Sequence, residues 1–564
     1  LILEGNKNSL FYKRYFKNKE NFQMEKLLLL GAEAIAQGAI DGGVSGVYAY
    51  PGTPSTEITE YIQSSGIAKS KGIHSRWSTN EKTAVEAALG MSYAGKRSIA
   101  CMKHVGLNVA ADPFMNSAIT GVNGGMIVVA ADDPSMHSSQ NEQDSRYYGN
   151  FALMPVLEPS NQQEAYDMAY DGLEFSEKCE LPVLLRLTTR LSHSRASVML
   201  KTPKPENSVK FPKDPIQFVL LPANARKRYK ILLRTYAELE NISDESVYNR
   251  LFNMPENGKS ELGIIACGIA YNYLMENLND EKVKYPILKI GQYPLPKKLI
   301  NELYNKCDKI LVLEDGYPIV EESLRGLLNL ENKVKGRLDG TIPRDGELNP
   351  DIVATALGKS TKTFFEIPKV VVARPPELCN GCSHRDIYTA LNVLIEEYGH
   401  QKVFSDIGCY TLGALPPFNS INSCVDMGAS ITMAKGAADA GLHPVFAVIG
   451  DSTFAHSGIT SLLDAVNENS PITVIISDNA TTGMTGGQES AATGKIENIC
   501  QGIGVDPEHI RIVTPLRKNH DELVSILREE VNYKGVSVII ARRECIQTAA
   551  RAKKAEIAKN KESK

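Results

Sequence analysis

Asp451 and Asn479 stand just beyond two short apolar runs, Val445 to Ile449 and Ile472 to Ile476, which are separated by a segment whose apolar residues fall at helical spacing. Strand, helix and strand in that order form a right-handed crossover, so the two strands run parallel and both polar residues emerge at the carboxyl edge of one sheet. Open α/β sheets hold their ligands at that edge. A carboxylate beside an amide oxygen is a hard-oxygen pair suited to Mg²⁺, which prefers octahedral oxygen ligation and bridges readily to phosphate. Asp and Asn also end strands because they favour turns, so the pair alone admits both readings. The sequence continues as ATTGMTGGQES, where Gly483, Gly486 and Gly487 allow close backbone approach to a ligand. A nucleotide-hydrolysing phosphate loop is not favoured, because the GKS triplets at Gly258 and Gly358 lack the required Gly five positions earlier.

Other residue types carry chemistry elsewhere. Asn80 can cap a helix whose first turn contains Glu81, which fixes the direction of that carboxylate. Thr53 is placed to cap a helix opened by Pro54, and a helix N-terminus is prepared for an anion such as a carboxylate. Lys103 and His104 follow the apolar run RSIACM, where a loop at the end of a strand suits either a substrate carboxylate or plain solvation. Cys379, Cys382 and His384 resemble part of a metal site, with Cys409 the only near candidate for a fourth ligand. A buried cysteine also serves as a small apolar filler. His456 is placed either to touch a phosphate or to cap the helix that follows it.

The elements that must position these groups read as an α/β protein. Strand and helix patterns alternate over 24–200, through GVYAY, RSIACM, GMIVVAA and LPVLLRLTT. Residues 201–258 read as linker and connecting helices, 259–365 as a smaller α/β unit, and 366–545 as a third unit containing Asp451 and Asn479. Residues 1–23 have five Lys/Arg, two Glu and no apolar core segment, which reads as a disordered leader, and 546–564 as a basic tail. With 62 basic and 66 acidic residues in 564, the chain lacks the broad basic surface expected of a nucleic-acid binder. No apolar run approaches the roughly 18 residues of a membrane span. Ten scattered cysteines suit reduced thiols, so the expectation is a cytoplasmic protein.

Gly450-Asp451-Ser452 followed by Asn479 resembles the thiamine diphosphate motif, with Ser452 in place of its second Gly. YPGTPSTE (50–57), NEKTAVEAALGMSYAG (80–95), MKHVGLNVAADP (102–113), HSSQNEQDSRYY (137–148), LCNGCSHR (378–385), DIGCYTLGALPP (406–417) and MTGGQ (484–488) narrow the likeness. Together, collinear over 24–545, they resemble the alpha subunit of the indolepyruvate ferredoxin oxidoreductases, within the 2-oxoacid ferredoxin oxidoreductases.

The resemblance implies a thiamine diphosphate-binding fold: two related parallel-sheet domains, pyrimidine-type and diphosphate-type, with a smaller transketolase C-terminal-like α/β domain between them. It implies Mg²⁺ on Asp451, Asn479 and the Thr481 carbonyl, and cofactor contacts from Gly408, Cys409, Gly450, Ser452, Gly483, Met484 and Thr485. It places Glu81 on the pyrimidine ring and Thr53 on the substrate, with Lys103 and His104 as further catalytic candidates. The implied reaction converts an aryl 2-oxoacid and coenzyme A to an acyl-CoA, CO₂ and reduced ferredoxin, with a smaller beta subunit as partner and a homodimer or α2β2 assembly. Tyr147, Tyr148 and Phe151 are candidates for a flat aryl pocket. The paired CxxCxxCxxxCP runs found in many such alpha subunits do not follow Cys545, which puts [4Fe-4S] clusters on a partner chain, with a non-oxidative decarboxylase or lyase as the alternative.

Overall fold

The computed structural model describes residues 26–210, 212, 214, 216–278, 284–326, 333–361, 368–372, 376–424 and 426–562; the expected leader, 1–23, lies outside the described residues. Three α/β layers carry the site. The first is a seven-stranded sheet in the order Gln292–Tyr293, Val156–Leu157, Val183–Thr188, Met126–Asp132, Ser98–Lys103, Gly46–Ala49, His74–Trp77. Every neighbouring pair is parallel except the first. The strands Met126–Asp132 and Val183–Thr188 are buried at every position, which is why they read as continuous apolar runs instead of alternating ones.

The third layer is a six-stranded, wholly parallel sheet in the order Ser423–Cys424, Val403–Ser405, Phe446–Gly450, Thr473–Asp478, Ser537–Arg542, Ile510–Val513. Phe446–Gly450 and Thr473–Asp478 are adjacent, with Gly450 opposite Ser477, so Asp451 and Asn479 leave the same edge as the crossover requires. Between these two in the chain comes a five-stranded sheet. It includes Arg250–Phe252, an antiparallel edge strand inside the stretch expected to be linker, so the smaller unit begins before residue 259. Its chain also lends Gln292–Tyr293 to the edge of the first sheet. No described helix is long and apolar enough to cross a membrane.

A buried ionic cluster joins the first sheet to the smaller unit. Arg186, on the strand Val183–Thr188, reaches Asp132 at 2.6 Å, Glu158 at 2.5 Å and the Asp315 carbonyl at 2.7 Å. Arg146 binds Asp144 at 2.5 Å and Glu314 of the smaller unit at 2.9 Å. Burial pushes the Asp144 carboxyl up, but the two guanidiniums outweigh it and hold it at about 2. Burial prevails at Glu314, whose carboxyl is pushed up to about 7 despite Arg146. Charges this deep survive because each has several partners, and removing one strands the others.

Arg186→Met is therefore expected to cost about 3–5 kcal/mol, because it leaves Asp132 buried without its cation and Glu158 with only the Arg146 cation, 3.8 Å away. The denaturant midpoint of the purified protein measures this, and an unchanged midpoint would refute the cluster's structural role.

Candidate active site

Asp451 follows directly from the strand Phe446–Gly450 and opens a continuous helical stretch, Asp451–Asn467, that includes a π-helical turn at Phe454–Gly458. Its side chain is buried, and Oδ2 has no hydrogen-bond partner. Burial, helped by nearby Asp478, pushes the carboxyl up to about 7. A buried polar atom without a partner is costly, and a cation supplies what this one lacks. Gly450 leaves no room for a side chain, since a Cβ there would lie 2.6 Å from the Tyr410 ring.

Asn479 is held by groups that fix its amide. Its Oδ1 accepts the Thr481 N–H at 3.1 Å, and its Nδ2 faces His384 Nε2 at 3.5 Å. Burial drives the His384 imidazole down to about 4, so it is neutral near pH 7 and Nε2 accepts. Its other nitrogen meets the Ser477 hydroxyl at 2.6 Å. This network fixes the Asn479 amide at the sheet edge that also carries Asp451, and a carboxylate with an amide oxygen at one edge suits Mg²⁺. His384 thus serves Asn479 and does not join Cys379 and Cys382 in a metal set. Thr481 closes the group by donating its hydroxyl to the Gln488 carbonyl at 2.9 Å.

Thr481–Thr482 and Gln488–Glu489 form a small antiparallel hairpin whose turn contains Gly483, Met484 and Thr485. Gly486 and Gly487, at φ +126° and +93°, give the turn a path that other residues rarely take. The Thr485 hydroxyl donates to Gln488 at 2.6 Å, and Gln488 in turn donates to Glu60 of the first domain at 2.8 Å. Met484 is exposed on the hairpin tip. Gly408 and Cys409 begin a short 3-10 turn fixed by Asp406, whose carbonyl accepts from Thr411 at 2.6 Å. A Cβ on Gly483 would lie 3.1 Å from Cys409 Sγ, so hairpin and turn meet.

From the first domain, Glu81 opens the helix Glu81–Tyr93 behind Asn80, whose side chain accepts from Thr83 at 2.9 Å. Glu81 is buried, and its Oε2 lies 2.8 Å from His456 Nε2 across the domain boundary. Asn80 Nδ2 donates to the His456 carbonyl at 2.9 Å. Tyr50 OH contacts Ser452 Oγ at 3.0 Å, and Ser452 contacts Thr482 at 2.8 Å. Glu86, exposed and paired with Lys82, is outside this arrangement.

Several expectations need correction. The helix after Tyr50 begins at Thr56 with Ser55 before it, so Thr53 is not its N-cap and Pro54 not its first residue. The turn Gly52–Thr56 is closed locally, with Ser55 Oγ donating to the Gly52 carbonyl at 2.7 Å and Gly52 N donating to Thr56 at 3.0 Å. Lys103 ends its strand and His104 opens a helix, so neither is on a loop. Burial lowers the Lys103 ammonium to about 8, even with Asp133 nearby, and Nζ donates to the Ser138 carbonyl at 2.7 Å. His104 is buried, with Nε2 at 3.3 Å from the Asn141 carbonyl and Nδ1 unpartnered. Tyr147 binds Glu322, Tyr148 binds Asn108, and Phe151 is exposed, so the three rings have separate surroundings.

Sequence reasoning left His456 undecided, missed His384 as the partner of Asn479, and missed Cys545 altogether. Cys545 follows the strand Ser537–Arg542, the immediate neighbour of Thr473–Asp478, and its N–H donates to the Asn479 carbonyl at 3.2 Å. The parallel order of these runs was the available signal. Burial pushes the Cys409 thiol up to about 12, reinforced by the charges of Cys382, Cys545 and Cys379.

Asp451→Asn is expected to leave the cofactor-free protein at least as stable in urea, because it replaces a buried carboxylate that has no counter-charge, and whose Oδ2 has no partner, with a neutral isostere. It is also expected to abolish stabilisation by Mg²⁺ with thiamine diphosphate. Undiminished stabilisation would refute the assignment of Asp451.

A family model described as pyruvate flavodoxin/ferredoxin oxidoreductase, thiamine diphosphate-binding, matches residues 37–237. One described as thiamine pyrophosphate enzyme, C-terminal TPP binding domain, matches 406–541. The "Indolepyruvate oxidoreductase subunit IorA" of Archaeoglobus fulgidus is 41% identical, with the alignment covering 94% of this chain and 88% of the relative. The proteins of that name from Methanothermobacter thermautotrophicus and Pyrococcus horikoshii are 40% and 38% identical, over 93% and 92% of this chain and 87% and 86% of their own lengths. At this identity and coverage, the chain belongs to the family of indolepyruvate oxidoreductase subunit IorA.

Proposed function

We propose that the chain is the thiamine diphosphate-dependent subunit of an enzyme that decarboxylates an aryl 2-oxoacid oxidatively, with coenzyme A taking the acyl group and ferredoxin the electrons. The observation that carries this reading is the buried Asp451 carboxylate, whose Oδ2 has no partner, at the same sheet edge as Asn479, on a segment whose His456 meets Glu81 of the facing domain. The cofactor, when bound, supplies a carbanion sink for decarboxylation. Asp451, Asn479 and the Thr481 carbonyl would hold Mg²⁺ on its diphosphate, and Glu81 would hold the proton at its pyrimidine nitrogen. The cleft walls exclude water from these groups.

On the substrate side, the Lys103 stem runs past the Thr53 turn, its Cβ 3.1 Å from where a side chain on Gly52 would begin, while its Nζ binds the Ser138 carbonyl at 2.7 Å. A 2-oxoacid carboxylate docked on that turn meets Lys103 in a site dry enough to strengthen the attraction. The name of the relatives is the support for an aryl side chain. Their description as a subunit supports a partner chain, for which we retain a smaller beta subunit in an α2β2 assembly or a homodimer of alpha.

Cys379, Cys382, Cys409 and Cys545 bear on the electron route. Among the described residues, no three His, Cys, Asp or Glu side chains converge on a site for a single ion. Thiolate is the usual ligand of a multi-iron cluster, and Cys379, Cys382 and Cys545 all act electrostatically on Cys409. The reading therefore places a [4Fe-4S] acceptor on this chain, next to the Gly483 hairpin, instead of only on a partner. It favours the oxidative reaction over the non-oxidative decarboxylase, which needs no electron acceptor.

The test is an anaerobic preparation assayed for CO₂ release and one-electron dye reduction, with and without coenzyme A. CO₂ release coupled to dye reduction and raised by coenzyme A is expected, along with about four irons on this chain. Cys545→Ser is expected to remove the iron and the dye reduction together. Aldehyde formation without dye reduction would establish the lyase instead.

A further inference from the structure

We propose that His456 is the positioning residue for Glu81, and that the two side chains hold one proton between them where the aminopyrimidine would dock. This rests on the reading of Glu81 as the cofactor's partner and adds to it a residue from the opposite domain.

The argument begins with the hydrogen bonds around Ser457. Its hydroxyl has one proton and lies 2.7 Å from the Met427 carbonyl, which only accepts. The same oxygen lies 2.8 Å from His456 Nδ1. With the hydroxyl proton committed to Met427, Nδ1 must be the donor in that second contact. A neutral imidazole protonated on Nδ1 has a lone pair on Nε2. Nε2 nonetheless lies 2.8 Å from Glu81 Oε2. A lone pair facing a carboxylate oxygen at that distance would repel, so a proton sits between them. The pair is either imidazolium with carboxylate or imidazole with carboxylic acid, and in both forms it has the same proton count.

The surroundings fix this pair. Gly428, at φ +93°, is required because a Cβ there would collide with Ser457 Oγ. On the other side, a Cβ on Gly106 would lie 2.5 Å from Glu81 Oε1, so the glycine gives that oxygen its room. Tyr50 packs edge-on against His456 with centroids 4.8 Å apart. Asn80, which caps the Glu81 helix, also holds the His456 carbonyl. Glu81 is thus gripped through Oε2 while Oε1 faces the Gly106 backbone, and His456 stands one helical turn beyond Asp451. One short segment, Asp451–His456, therefore sets both the ion-binding carboxylate and the orientation of the acid in the facing domain.

The experiment compares full-length wild type with His456→Gln, His456→Ala, Ser457→Ala and Glu81→Gln. In the cofactor-free protein, proton NMR is expected to show a strongly downfield, exchange-protected imidazole N–H resonance that disappears in His456→Gln and Glu81→Gln and shifts in Ser457→Ala. In the protein loaded with Mg²⁺ and thiamine diphosphate, deuterium exchange at the thiazolium carbon is expected to slow by about 10- to 100-fold in His456→Ala and His456→Gln, the usual scale for losing a second-layer partner, while cofactor affinity changes far less. Glu81→Gln slows it further. A purely structural role would lower affinity instead, and Gln, which keeps a donor to Glu81, would restore exchange. Wild-type exchange in both His456 variants, or the resonance persisting in His456→Gln, would overturn the proposal. Undiminished exchange in Glu81→Gln would overturn the reading of Glu81 itself.

Discussion

A carboxylate buried without a counter-charge is the constraint around which the site is organised. Asp451 leaves a fully buried strand, has an oxygen with no partner, and is pushed up to a proton affinity far from that of an exposed acid. Such a group is unfavourable in the protein alone. On the proposed function it is half of a contact whose other half is a divalent ion, and its neighbours are held firmly around it. Asn479 is oriented by a neutral histidine, Thr481 is pinned by a hairpin, and Gly450 makes room for the Tyr410 ring.

The opposite wall comes from another sheet, so the site depends on how the domains are joined. Direct bonds cross the cleft at Glu81–His456, Tyr50–Ser452 and Glu60–Gln488. Farther away, Arg146 and Arg186 bind the first sheet to the smaller unit through charges with no exposure to solvent. Buried ion pairs contribute little net stability compared with apolar packing, but they are strongly directional. The cluster sits at the ends of the strands Met126–Asp132 and Val183–Thr188, on the sheet that also carries Lys103.

Much of this was legible in the sequence because it follows from short-range rules. Apolar runs and their order gave the parallel pairing of Phe446–Gly450 with Thr473–Asp478, and Asn80 announced the helix that carries Glu81. What was illegible depended on contacts between distant segments. Nothing local to His456 points to Glu81, 375 positions away. Cys545 looked isolated because the thiol it acts on, Cys409, belongs to a turn far upstream. Thr53 failed as a cap for a local reason: Gly52, Ser55 and Thr56 close a turn among themselves and delay the helix. For Tyr147, Tyr148 and Phe151 the partners were equally out of reach: Glu322 and Asn108 come from distant segments, and Phe151 is exposed.

The most direct measurement is an anomalous difference map from crystals grown with Mn²⁺ and thiamine diphosphate. The account predicts a single strong peak coordinated by Asp451, Asn479 and the Thr481 carbonyl, with the pyrimidine ring against Glu81. A peak elsewhere, or a cofactor bound with the Asp451 carboxylate still uncoordinated, would contradict it.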